Sequence, residues 1–202
     1  SIQNNLTKLD LLEVAEVLYE NDFFAIIRKP AGCTFDDMNS IALHTLSPPS
    51  RSHIKEVLRR PSVVHRLDRP VAGVLLIAKT APSLRCLSSL FAEREIKKEY
   101  MALVAGKVGE VGMFRTINIP LGDREACTTI QVYRVDPCRA SHDGCVTTLK
   151  IYPKTGRNHQ IRKHLSYSGH PIIGDTRYWF KHAKPDQEER RREEHWRKAH
   201  NY

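Results

Sequence analysis

An apolar run, Gly73-Val-Leu-Leu-Ile-Ala78, begins three residues after the polar hexapeptide His65-Arg-Leu-Asp-Arg-Pro70. A short continuous apolar segment bounded by Lys79-Thr80 has the pattern of a buried strand. The segment as a whole opens with Val63-Val64, just before the polar stretch. Asp68 therefore sits in a charged loop that feeds the buried strand.

The flanking segments extend this picture. Val14, Val17 and Leu18, then Phe23 to Ile27, predict two short strands with a turn at Glu20-Asn21-Asp22. The second strand ends at the turn signal Lys29-Pro30-Ala31-Gly32. Apolar content falls from Asp36 to Arg60, where Ser47-Pro-Pro-Ser50 predicts a loop and little core is expected. Thr80 is placed to cap a helix with Pro82 in its first turn, and Leu84, Leu87, Leu90 and Phe91 recur on one face. Tyr100–Val104, ending at Gly106, and Cys145–Tyr152 read as strands; Thr147, Leu149 and Ile151 share one face of the latter. Thr155-Gly156 makes a turn, Asn158 is the expected N-cap of a helix over 158–168, and Gly169 ends it. Glu188–Arg192, Glu193–Arg197 and Glu194–Lys198 are spaced as ion pairs on a solvated terminal helix. The expected organisation is one domain over residues 1–180 followed by a charged helical tail over 181–202.

Charge narrows the partners. The formal net charge of +9 favours a polyanion, because lysines and arginines that neutralise phosphates release condensed counterions. Five basic residues and no acid lie between Lys150 and Lys163, whereas Asp186 to His200 carries five of each and is neutral. The five cysteines form no C-x-x-C pair, which argues against a zinc ribbon and a secreted disulfide framework. No apolar run reaches the length of a membrane span. An intracellular protein is expected, in the cytoplasm or an organelle such as the mitochondrion, without a membrane partner.

Three segments carry the chemistry: Val-Val-His-Arg-Leu-Asp-Arg-Pro at 63–70, Lys-Lys-Glu-Tyr-Met-Ala at 97–102, and Thr-Gly-Arg-Asn-His-Gln-Ile-Arg-Lys-His-Leu at 155–165. With Gly-His-Pro-Ile-Ile-Gly-Asp at 169–175, they resemble the RluA-type pseudouridine synthases in order, spacing and flanks, over roughly residues 12–178. The resemblance implies an α+β catalytic fold, with a mixed, mostly antiparallel sheet, flanking helices and a basic active-site cleft. It also implies isomerisation of uridine in tRNA or rRNA, with ribosomal particles or assembly factors as further partners.

By that resemblance Asp68 is the catalytic carboxylate. It would stabilise charge at the sugar carbon, attack it, or remove a neighbouring proton, three routes that stay open. A carboxylate in a dry pocket needs a fixed cation to remain ionised, and the family match for that cation is Arg162. Tyr100 matches the tyrosine that lies against the uracil of an extruded nucleotide. Arg66, by analogy, enters the RNA where the flipped base was, beside Arg69 in the same loop. Lys150, Lys154, Arg157 and Lys163 suit backbone phosphate contacts, and His159 joins them as an RNA-side or supporting residue. No metal is expected, since neither His65 nor His159 has a further ligand at metal-like spacing. No cofactor is expected either, because the reaction conserves atoms and redox state. The rival readings are a catalytically silent RNA-binding or ribosome-assembly factor on the same fold, and a glycoside hydrolase. The latter would need a paired carboxylate, which the Asp68 segment lacks.

Overall fold

A computed structural model describes residues 15–50, 54–141 and 143–179. The expected terminal helix over 188–198 lies outside these residues. The chain divides into two compact units, residues 1–96 and 97–202, each with its own four-stranded sheet. The architecture is α+β as expected, but every described strand pairing is antiparallel rather than mixed.

In the first unit the sheet order is β1-β2-β4-β3, from β1 (Glu16–Glu20), β2 (Phe24–Lys29), β3 (Val57–Val63) and β4 (Gly73–Thr80). The expected hairpin turn forms at Asn21, whose Oδ1 accepts from the N–H groups of Phe23 at 2.8 Å and Phe24 at 2.9 Å. Ala25, Ile27, Leu75 and Ile77 point to one core. That core is closed by a helix the sequence reading missed, α1 (Phe35–Thr45), which inserts Met38, Ile41 and Ala42. Low apolar content concealed it, yet those three residues have the i, i+3, i+4 spacing of one face. Its start is a reciprocal capping box: Thr34 Oγ1 accepts from the Asp37 N–H and Asp37 Oδ2 accepts from the Thr34 N–H. The Ser47–Ser50 segment is a loop, as expected. Helix α2 (Ala81–Ala92) begins at Thr80, whose side chain accepts from the Ser83 N–H, and packs along β4 and β3.

In the second unit the order is β5-β8-β7-β6, from β5 (Tyr100–Ala105), β6 (Phe114–Ile117), β7 (Thr128–Pro137) and β8 (Cys145–Pro153). β5 and β8 were legible; β6 and β7 were not singled out. Thr147, Leu149 and Ile151 are all buried, as their alternation required. Helix α3 (Gln160–Tyr167) buries Leu165 against Val104, Ile130 and Val132 of this core. Gly169, at φ +91, turns the chain so that 171–173 run back along β5: Ala105 N–H donates to Pro171 O and Ile173 N–H to Leu103 O.

The start of α3 departs from expectation. The N-cap is His159, in a left-handed conformation (φ 53°, ψ 30°), not Asn158, and it makes no side-chain cap bond. The helix is seated instead by a buried polar chain. Thr155 Oγ1 accepts from the Cys127 N–H and donates to Gln160 Oε1, which also accepts from the Arg157 N–H. Gln160 Nε2 donates to Cys127 O and Thr128 Oγ1. Thr128 Oγ1 lies 2.9 Å from His164 Nδ1, and His164 Nε2 lies 2.8 Å from Ile119 O. A carbonyl only accepts, so Nε2 carries the proton and Nδ1 accepts from Thr128.

Burial pushes the His164 imidazole below its ordinary pKa, and the hydrogen bond to Ile119 O only partly opposes this. The unfolded chain protonates this residue near pH 6.5 and the folded chain only at lower pH. In that window the unfolded state binds more protons, so stability falls as pH falls. We expect the melting temperature to drop from about pH 7.5 to about pH 5.5. His164→Gln should lower it at neutral pH but flatten its pH dependence; an equally steep profile in the variant, read by calorimetry, would contradict this assignment.

Candidate active site

Asp68 sits where expected, in the loop between β3 and β4. The loop is tied down at both ends. Val64 N–H donates to Leu76 O, and the ladder continues through a side chain, with His65 Nε2 accepting from the Leu76 N–H at 3.2 Å. The His65 ring also stacks on Phe91 of α2, centroids 4.5 Å apart. His65 is therefore a supporting residue that replaces a backbone acceptor. Val71 N–H donates to Asp68 O at 3.0 Å and closes a turn around Arg69-Pro70.

Beneath this turn lies Lys29, the last residue of β2, only 1% exposed. Its Nζ has four carbonyl oxygens within reach: Val71 at 2.6 Å, Pro30 at 3.1 Å, Arg69 at 3.2 Å and Asp68 at 3.3 Å. An ammonium carries three protons, so four acceptors share them and the buried charge is solvated by the backbone it orders. Burial lowers the Lys29 pKa, against the opposing charges of Cys33, Asp68 and Asp37. The loop is also stitched to the Lys29-Pro-Ala-Gly32 turn: Gly32 N–H donates to Arg69 O, and Arg69 Nε donates to Gly32 O. Gly32 adopts φ +93, a conformation costly for any side chain. Arg66 is exposed in the same loop.

The second unit holds the other expected residues. Tyr100 opens β5 opposite Ile151 and packs against the second core, which Ile161 of α3 also borders. Lys150 projects from the opposite face of the sheet, where it pairs with Glu99 at 3.6 Å and lies over the Tyr133 ring at 5.2 Å. Lys154 is exposed after β8, and Lys163 is half-buried on α3. Arg157 Nε donates to Glu125 O at 2.9 Å, so its stem is fixed. His159 Nδ1 lies 2.8 Å from the Tyr178 hydroxyl, with the two rings edge to face.

Arg162 has a partner that sequence reading did not assign. Its Nε and Nη2 donate to the two oxygens of Asp175 at 2.7 and 2.8 Å, a bidentate pair with side chains 14% and 5% exposed. Its Cζ also lies 5.0 Å above the Tyr178 ring. Burial disfavours the Asp175 carboxylate, but the hydrogen bonds and charge of Arg162, with the Tyr178 and Arg177 N–H groups, outweigh it and hold its pKa below the ordinary value. Asp175 lay within the Gly169–Asp175 motif, so the available signal was an acid at the end of that motif. Lys29, Gln160 and Thr128 were also missed, because a buried polar residue is recognised only by its distant partners.

Comparison with known proteins identifies the family. Residues 24–167 match the RNA pseudouridylate synthase family. The chain is 33% identical over 196 residues to ribosomal large subunit pseudouridine synthase C of Pasteurella multocida, covering 90% of this chain and 57% of that protein. It is 31% identical to tRNA pseudouridine synthase C of Haemophilus ducreyi, covering 81% of this chain and 73% of that protein. It thus spans little more than half the length of its ribosomal relatives. Among solved structures, human RNA pseudouridylate synthase domain containing 1 superposes with a TM-score of 0.66 at 20% identity, over 89% of this chain and 73% of that one. The human domain containing 4 protein gives 0.62 at 22%, over 89% and 74%. These two likenesses bear on the fold alone; the family match over 24–167, with relatives more than 30% identical, makes this chain a member of the RluA-type RNA pseudouridine synthase family.

Proposed function

We propose that this protein isomerises uridine to pseudouridine in RNA, with Asp68 acting at the ribose, Tyr100 against the base and Arg162 gripping Asp68. The observation that carries this reading is the anchoring of Asp68 itself: its backbone is bound by a buried ammonium inside the segment that matches the family. A catalytic carboxylate must be held within a fraction of an ångström of its target, and such anchoring supplies that rigidity without using the carboxylate. In this reading the glycosidic N–C bond breaks, uracil turns, and its C5 bonds to the sugar carbon. The C5 proton then leaves, with the Tyr100 hydroxyl placed to assist, and the freed ring nitrogen regains one. Atoms and electrons balance within the substrate, so no cofactor is consumed.

The reading takes residues 1–180 as one catalytic domain and 181–202 as a charged tail. Arg66, Arg69, Lys154, Arg157, His159 and Lys163 form the proposed RNA side. Anchoring Arg69 on Gly32 O and Arg157 on Glu125 O uses one N–H of each guanidinium and suits the rest to phosphate oxygens. Lys150 has the weakest claim, since it engages Glu99 and Tyr133 on the face opposite Tyr100. The relatives' names point to large-subunit rRNA or tRNA as the substrate class, and to an intracellular site of action.

Asp68→Asn should lower uridine conversion roughly 10³-fold or more while RNA affinity stays within about twofold. The assay is pseudouridine mapping of cellular RNA with and without the active protein. If Asp68→Asn cells map and grow like wild type while a deletion does not, the chain acts as a binding or assembly factor instead. Lys29→Met should cost about 2–4 kcal/mol of stability, because it strips the Asp68 loop carbonyls of their buried donor. The folded fraction should turn over more slowly at unchanged RNA affinity. Unaltered melting and turnover would remove Lys29 from the site's support.

A further inference from the structure

We propose that Asp175 is a positioning residue for Arg162: its carboxylate fixes one edge of the guanidinium, so that the other edge is set before substrate arrives. This rests on the reading that Arg162 serves the reaction. Asp175 takes the Nε and Nη2 edge at 2.7 and 2.8 Å. A guanidinium has five N–H donors, so two are committed here and the face is covered by the Tyr178 ring. Arg162 thus has both its plane and its rotation about that plane defined.

The carboxylate is itself held. Its Oδ1 accepts from the N–H groups of Arg177 at 3.1 Å and Tyr178 at 3.2 Å, and its backbone donates to Ile172 O and accepts from the Trp179 N–H. Tyr178, 3% exposed, ties the same turn to α3 twice, through its hydroxyl on His159 and its carbonyl on Ser166 Oγ. One short turn, Asp175 to Tyr178, thereby orients two residues of the Arg157–Lys163 segment. The carboxylate partly neutralises the guanidinium, so what it contributes is direction rather than charge: the remaining N–H donors are held in one geometry for the acid that Arg162 serves.

Two readouts test this on the full chain. In the reaction assay, Asp175→Asn should reduce kcat about 10- to 100-fold, with KM for RNA within about twofold. In an Arg162→Lys background the same substitution should cause no further loss, because the edge it organised is gone. Asp175→Glu, which keeps the charge, should recover part of kcat. Unchanged kcat, a loss confined to KM, or an equal loss in the Arg162→Lys background would overturn the proposal and leave Asp175 a staple of the fold. The second readout needs no activity: the Arg162 Nε–H should give a slowly exchanging NMR resonance, identified by its loss in Arg162→Lys. Rapid exchange of that proton in the wild type would overturn the clamp even if Asp175→Asn fails to fold. A wild type inactive on every cellular RNA, with the slow resonance present, would instead sink the functional reading.

Discussion

The buried ammonium of Lys29 organises the loop that carries Asp68. Lys29 closes β2, and its Nζ gathers carbonyls from Pro30, Asp68, Arg69 and Val71, residues that are up to 42 positions away in the chain. A lysine interior to a protein is costly unless its protons are satisfied. Here they are satisfied by carbonyls of one loop, two of which, Asp68 O and Arg69 O, also accept from the backbone N–H groups of Val71 and Gly32. The cost is offset only when the loop adopts one conformation, which is how a polar, proline-containing segment becomes rigid. Hydrophobic support comes from Leu67, packed on the Ala25–Ile77 core.

The second unit solves the same problem with neutral groups. The Thr155–Gln160–Thr128–His164 chain seats α3 on β7 without a charge. Each member is at most 7% exposed and each donor has an acceptor, so the network is fully satisfied where a half-satisfied one would destabilise. On this neutral base stands a charged pair of the helix, Arg162 with Asp175, itself largely buried. The three motif segments therefore serve structure in large part: many of their polar residues bind the chain that carries the proposed site residues.

Much of this was legible. Alternation gave β5 and β8, the apolar run gave β4, and Thr80 with Pro82 gave the start of α2. The location of Asp68 in a loop before a buried strand followed from the same pattern. Helix α1 was hidden because acids dominate its first turn, although Thr34 and Asp37 spell a capping box. The N-cap at 159 departs from expectation because side-chain preference names Asn, whereas the backbone there is left-handed, has no side-chain cap, and is followed by Gln160, which reaches back to the Arg157 N–H. The partners of Arg162 and Lys29 could not be read, since nothing local distinguishes an acid 13 positions away or a carbonyl 40 positions away.

The left-handed backbone at His159 narrows what evolution can put there. Glycine would relieve the torsional cost, yet it would surrender the imidazole that meets the Tyr178 hydroxyl and enlarge the denatured ensemble. Asparagine tolerates the torsion but is too short to fill the edge-to-face contact. Valine or isoleucine would clash with its own carbonyl. The position is thus a compromise between main-chain comfort and ring docking, and tolerated replacements should be few for reasons that precede any contact with nucleic acid.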